Sequence, residues 1–262
     1  MDHRKTNRQY GYLSPENNGV VVRTLDYQQV AGYGVGIIYI GSLNYPYLPG
    51  NVVNAYTYDF PVRLQPVPTD IPRLFAADPT IADDIIAVCR HMIDFEGVRA
   101  ICAACGFFGN FHQQVAEALE VPVALSSLTQ VPFIRNLIKP SQKIGVLTAD
   151  KSSLTPKLLD NCFITDHDQL VVKDLRHAPE FSCILEYRGE FDNGEVRNEV
   201  VSAALELLEE DADIGAIVLE CSDMPPYAYA VQQATQLPVF DFITLIKWLH
   251  SGVHYGPYSG WI

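Results

Sequence analysis

The chain is short of positive charge. Its 262 residues hold 18 lysines and arginines against 31 aspartates and glutamates, a formal net charge of −13. Such a balance leaves no electrostatic footprint for DNA or RNA and is repelled by anionic lipid, so neither nucleic acid nor membrane is expected as a partner. Long apolar runs are missing too: none approaches the ~18–20 residues of a membrane span. The opening MDHRKTNRQYGYLSPENNG is polar and lacks the apolar centre of a signal peptide, so the expected location is cytoplasmic. Six cysteines are too few for a disulfide scaffold at this length. In a reducing compartment they serve as buried hydrophobes or as reactive thiols. There is no Walker loop, no G-x-S-x-G and no H-E-x-x-H, and GYGVG (32–36) precedes a strand instead of following one, so it is not a dinucleotide fingerprint. The acidity does not decide the ligand, because backbone N–H groups can bind an anion in a negative protein.

What is present is a chain with 48% hydrophobic and 19% charged residues, enough for one large domain or two modest α/β lobes. Residues 1–35 are polar and glycine-punctuated and read as an arm over the surface. GVGIIYI (34–40) is the first strong strand. The Pro-, Tyr- and Asn-rich stretch 41–68 is long for a plain connection, which points to a functional loop. From residue 78 strand and helix alternate. A helix with Ile81, Ile85, Val88, Met92 and Phe95 on one face leads to the strand VRAICAA, and strands follow at VPVAL, KIGVLTA, QLVVKDL, IGAIVLE and PVFD. Helical patterns separate them, which predicts parallel sheets covered on both faces. The order strand–Cys–helix–xPV strand–helix occurs at 98–138 and again at 214–249, with LEVPVALSSL and TQLPVFDFITL in equivalent places. That echo implies two similar lobes, and ligands in such sheets bind at the carboxyl ends of the strands. The expected division is an arm at 1–35, one lobe from 36–140 plus 239–262, and a second from 141–238.

Cys105 and Cys221 take matching places in the repeat, each ending a strand and preceding a helix. A thiol at a helix N-terminus meets the positive end of the dipole, and its pKa is expected to fall below about 8.5. Gly106 and Gly109 let the backbone approach a ligand. The competing reading makes both thiols ordinary buried cysteines. Cys102 and Cys105 form a C-x-x-C, but positions three apart on a strand point to opposite faces. A zinc site would want a second close ligand pair, and none is present, so no metal is expected. Cys89, Cys162 and Cys183 read as packing. His112 and His167 show no evident partner. Asp223 stands beside a candidate thiol and reads equally as a helix cap.

Together, Cys105 after an apolar strand, KIGVLTADKSSLT at the midpoint and LECSDMPPYA near the end resemble the aspartate/glutamate racemase superfamily over about residues 36–250. That group includes glutamate, aspartate and hydantoin racemases, maleate isomerase and arylmalonate decarboxylase. The resemblance implies an α/β fold of two pseudo-symmetric lobes, each a parallel sheet flanked by helices, with the active site in the cleft between them. It implies chemistry without a cofactor on a small-molecule carboxylate, and a homodimer as a common assembly. Cys105 and Cys221 match the paired acid/base cysteines, one removing and the other returning the proton α to a carboxylate. Ser42, Gly106, Phe107, Ser126, Ser127, Thr148, Ser222 and Asp223 fall where substrate contacts are implied. Gly106-Phe107 and Ser222-Asp223 replace the Asn-Thr and Thr-His of glutamate racemases, and Gly41-Ser42 replaces their Asp-Ser, which argues against glutamate as substrate. The expected activity is a two-cysteine racemase or epimerase. A maleate-type isomerase with a nucleophilic cysteine and a non-catalytic binding protein are the rivals.

Overall fold

The computed structural model describes residues 27–262. Most of the arm expected at 1–35 lies outside the described residues. The rest forms two four-stranded parallel sheets. The first has the order β2-β1-β3-β4, from β1 (Val35–Ile40), β2 (Val62–Val67), β3 (Ala100–Ala104) and β4 (Val123–Ala124). The second has the order β6-β5-β7-β8, from β5 (Lys143–Thr148), β6 (Leu170–Asp174), β7 (Ile214–Leu219) and β8 (Val239–Phe240). The two orders are the same when β5–β8 are laid over β1–β4. The echo extends to single hydrogen bonds: Ile101 N–H donates to Pro122 O at 2.9 Å, and Ile217 N–H donates to Pro238 O at 2.9 Å.

The helices are α1 (Ile71–Phe75), α2 (Ala82–Glu96), α3 (His112–Ala118), α4 (Val131–Arg135), α5 (Pro156–Asn161), α6 (Asn193–Glu210), α7 (Ala228–Thr235) and α8 (Phe242–Val253). Strand alternation sorts the first core. Ile38, Ile40, Ile101 and Ala103 face one way and pack with Ile85, Cys89 and Met92 of α2. Val35, Ile37, Ala100, Cys102 and Ala104 face the other way, onto Phe242, Leu245 and Ile246 of α8. The α2-side core continues into the second lobe through Leu158, Ile144, Val146 and Val218, so the lobes share apolar interior. The far side of the second sheet, Leu147, Ile217 and Leu219, packs against Val200, Ala204 and Leu207 of α6.

The chain's return to the first lobe differs from the expected boundary at 239. Val239–Phe240 pairs with β7 in the second sheet. It is α8, after β8, that returns to pack on the first sheet. Its start is fixed locally, because Thr244 N–H donates to Asp241 Oδ1 at 2.8 Å and Asp241 N–H donates to Thr244 Oγ1 at 2.9 Å, a reciprocal cap. The stretch 41–68 is not all loop, since its last residues form β2. Among the described residues no helix is long and apolar enough to cross a membrane.

Candidate active site

The carboxyl ends of β3 and β7 meet at one narrow cavity. Ala104, Cys105, Gly106 and Phe107 line it from the first lobe, and Glu220, Cys221, Ser222 and Asp223 from the second. Phe75 of α1 closes one wall, its ring 3.9 Å from that of Phe107. The matching positions of the repeat thus bring Cys105 and Cys221 to a single space between the lobes.

Cys221 and Asp223 are bonded to each other. The Cys221 thiol donates to Asp223 Oδ2 at 3.5 Å, and Ser222 Oγ donates to the same oxygen at 3.4 Å. Asp223 Oδ1 accepts from the Tyr45 hydroxyl and from Asn51 Nδ2, both at 2.5 Å. Asp223 is therefore not a helix cap. It is a buried carboxylate held by donors from a loop more than 170 residues away in sequence. Burial raises its pKa and these donors oppose the rise. The same loop is pinned at two more points. Val52 N–H donates to Ser222 O at 3.4 Å. Gly50 has φ +98°, and a Cβ there would come within 2.9 Å of the Pro226 Cα.

The thiols do not behave as a helix N-terminus alone predicts. Burial pushes both Cys105 and Cys221 well above the ordinary thiol range, and the Glu220 and Asp223 carboxyls add to the rise at each. The opposing contributions are single backbone N–H groups, Phe107 at Cys105 and Asp223 at Cys221. A tight 3-10 segment, Gly106–Phe111, separates Cys105 from the start of α3. Desolvation and like charge outweigh what that short turn can offer. The expected depressed thiol pKa is thus corrected: burial and the neighbouring carboxyls favour the protonated form of both groups. Cys89 and Cys162 are fully buried packing residues pushed up to about 12, and Cys183 is buried and raised to about 11.

Sequence reasoning passed over Glu220. It is fully buried at the end of β7, and its Oε2 accepts from Thr148 Oγ1 at 2.7 Å. Its Oε1 has no hydrogen-bond partner among the described residues. Burial lifts this carboxyl from 4.5 to about 7, with the Thr148 hydroxyl and the Ala149 N–H opposing. The role expected of Gly106 also changes. A Cβ at that position would lie 1.7 Å from Glu220 Oε1, so the glycine makes room for the carboxyl group.

The remaining expected contacts divide. Gly106, Phe107, Ser222 and Asp223 line the cavity, and Thr148 reaches it through Glu220. Ser126 and Ser127 do not line it. Ser126 Oγ accepts from Leu128 N–H at 3.2 Å as the cap of a 3-10 turn, and Ser127 Oγ donates to Leu219 O at 3.1 Å. Both hydroxyls are fully buried behind the site and occupied there. Ser42 is exposed and lies in a separate open groove with Pro66, Thr69 and Arg73. The histidines have partners after all: His112 Nδ1 accepts from Leu125 N–H at 3.4 Å, and His167 pairs with Asp160 at 3.0 Å. Among the described residues no group of three or more His, Cys, Asp or Glu is arranged to hold a metal ion.

Several solved structures share this fold. Allantoin racemase from Klebsiella pneumoniae superposes with a TM-score of 0.61 at 18% identity, covering 85% of this chain and 87% of that one. Arylmalonate decarboxylase gives 0.54 at 15% identity, covering 84% and 92%. Glutamate racemase from Francisella tularensis gives 0.51 at 17% identity, covering 84% and 80%. No family model matches the sequence. By sequence, the chain is similar to dimethylsulfoniopropionate lyase 7 of Emiliania huxleyi, 32% identical over 160 residues, 58% of this chain and 47% of that protein. It is similar to the dimethylsulfoniopropionate lyase of a Durusdinium species (clade D), 29% identical over 208 residues, 76% of this chain and 68% of that protein. The chain spans about half the length of the first of these. These relatives are lyases, and they overturn the racemase expectation drawn from the cysteine pair.

Proposed function

We propose that the chain is a lyase that removes a proton α to a carboxylate and expels a cationic group from the β carbon, with dimethylsulfoniopropionate as the substrate. The observation that carries this reading is the charge of the cavity. Two thiols and two carboxyl groups line it, and among the described residues no lysine, arginine or histidine does. Thiols held up by burial and by neighbouring carboxyls need positive charge before one of them ionises. A sulfonium on the β carbon brings it. A unit charge ~5 Å from a thiolate, at an effective dielectric of ~20, contributes about 3 kcal/mol, or roughly 2 pK units. The Phe75 and Phe107 rings add faces that attract a cation.

Cys221 is the base in this scheme, because Asp223 already accepts from its S–H and takes that proton as the substrate settles. The thiolate removes the α-proton, the C–H electron pair becomes the new C=C bond, and the β C–S bond breaks with its electrons on sulfur. The products are neutral dimethyl sulfide, acrylate and a restored thiol, and Asp223 releases its proton to solvent. Cys105 faces the other side of the substrate and keeps its proton. Backbone N–H groups of the Gly106–Phe107 turn stabilise the negative charge that grows on the carboxylate.

The test is to incubate the protein with dimethylsulfoniopropionate, measuring dimethyl sulfide in the headspace by gas chromatography and acrylate in solution by NMR. Equal amounts of both are expected, with Cys221→Ser reducing the rate by about 10³-fold or more and Cys105→Ser by less. Absence of both products from a folded protein would remove the lyase reading.

A further inference from the structure

Glu220 is a buried group that the elimination leaves without a task. Its carboxyl lies in the wall of the cavity that the two thiols also line, fully buried, with one oxygen bonded to Thr148 and the other, Oε1, without a partner among the described residues. The backbone of Gly106 passes so close to Oε1 that no side chain fits between them. Oε1 therefore lies directly beside the Gly106–Phe107 turn in the cavity wall.

The protonation state follows from the surroundings. Asp150 faces Glu220 from the segment after β5, Cys105 from the end of β3, Cys162 from the end of α5, and Cys221 and Asp223 from its own turn. All are acidic groups. Arg176 is bonded to the Asp150 carboxylate. Among the described residues an ionised Glu220 would meet no counter-charge, whereas a neutral one has an O–H free to donate.

We propose that Glu220, protonated on Oε1, donates a hydrogen bond to the substrate's carboxylate and so takes the place of the missing cation in carboxylate recognition. An acid–carboxylate hydrogen bond is charge-assisted and short. It holds the carboxylate end at the Gly106–Phe107 turn and leaves the cationic end for the Asp223 side. The inference rests on reading the cavity as a carboxylate site, and not on the identity of the leaving group.

The test uses propionate, which has a carboxylate and nothing to eliminate. Binding to the unmodified protein is measured by titration calorimetry at pH 6 and pH 8, in two buffers of different ionisation enthalpy. Since the acid form is the competent one, propionate should bind about tenfold more weakly at pH 8 than at pH 6, with nearly one proton taken up per propionate at pH 8 and about none at pH 6. Glu220→Gln keeps a neutral N–H donor in the same place, so it should bind propionate with neither the pH dependence nor the proton uptake. Affinity independent of pH without proton uptake in the unmodified protein would overturn the proposal. So would an unchanged pH dependence in Glu220→Gln, or no propionate binding at either pH. Dimethyl sulfide release plays no part in these readouts, so the lyase reading can fail while this one stands.

Discussion

The Cys221 thiol donates to the Asp223 carboxylate across 3.5 Å, two residues further along the same turn. That carboxylate is gripped from its other oxygen by Tyr45 and Asn51. A loop from the first lobe thus sets how readily an acid in the second lobe accepts the thiol's proton. Asp223→Asn removes the acceptor and keeps the shape. Dimethyl sulfide production should fall by about 10²–10³-fold, as expected when a general base is lost. Propionate binding should be nearly unchanged, because the carboxylate end lies elsewhere in the cavity. A variant with normal turnover would show that Cys221 ionises without Asp223.

Thiol reactivity without added substrate should follow the raised pKa values. Alkylation of Cys105 and Cys221 by iodoacetamide, resolved by peptide mass spectrometry, should be slow at pH 7. It should rise about tenfold per pH unit up to at least pH 9, since only the thiolate reacts. Both groups are held up by burial and by the Glu220 and Asp223 carboxyls. A rate that levels off below pH 7 at either cysteine would mean a thiolate already present at rest, and the need for a cationic substrate would disappear.

The loop can be loosened without touching the cavity. Gly50→Ala places a side chain at φ +98°, where a Cβ would sit 2.9 Å from the Pro226 Cα. Left-handed backbone costs a non-glycine residue about 1–2 kcal/mol, and the contact with main chain adds to it. The variant should lose about 2–4 kcal/mol in urea unfolding and turn over at least tenfold more slowly. Gly252→Ala is the control. It lies on the exposed side of α8 with nothing within 4 Å of its added Cβ, and should be neutral or slightly stabilising.

Much of the architecture was legible in the sequence because the central strands are buried on both faces and read as apolar runs, with helical periods between them. β2 was hidden for a physical reason. VRLQPV is an edge strand with Arg63 and Gln65 in it, and Pro66 is tolerated there because an edge needs no N–H on its open side. Arg63 is further drawn out of the strand pattern by its bond to Glu96 of α2 at 2.6 Å. At the site, the cysteines stood out because the repeat placed them alike. Tyr45 and Asn51 could not, since their contact with Asp223 depends on how the loop folds back. Ser126 and Ser127 misled because a hydroxyl at a turn's start is used by the backbone first. Glu220 carried a signal that was passed over: a carboxyl closing the apolar run AIVL, directly before the thiol, has no water to reach.

That burial has a measurable cost. The folded pKa of Glu220 is raised from 4.5 to about 7, so the folded state holds its proton more tightly than the unfolded chain does. Stability from this group is complete below about pH 4.5 and is lost as pH rises towards 7, because the folded protein binds more protons than the unfolded one through that window. A rise of this size on a fully buried group corresponds to roughly 3 kcal/mol. Glu220→Gln does not titrate. It should match the unmodified protein near pH 4.5 and exceed it by roughly 3 kcal/mol at pH 8, seen as a melting temperature several degrees higher at the alkaline end alone. Equal melting curves at pH 8 would mean that the ionised carboxyl finds a partner or water on Oε1, and the buried donor proposed for the substrate would not exist.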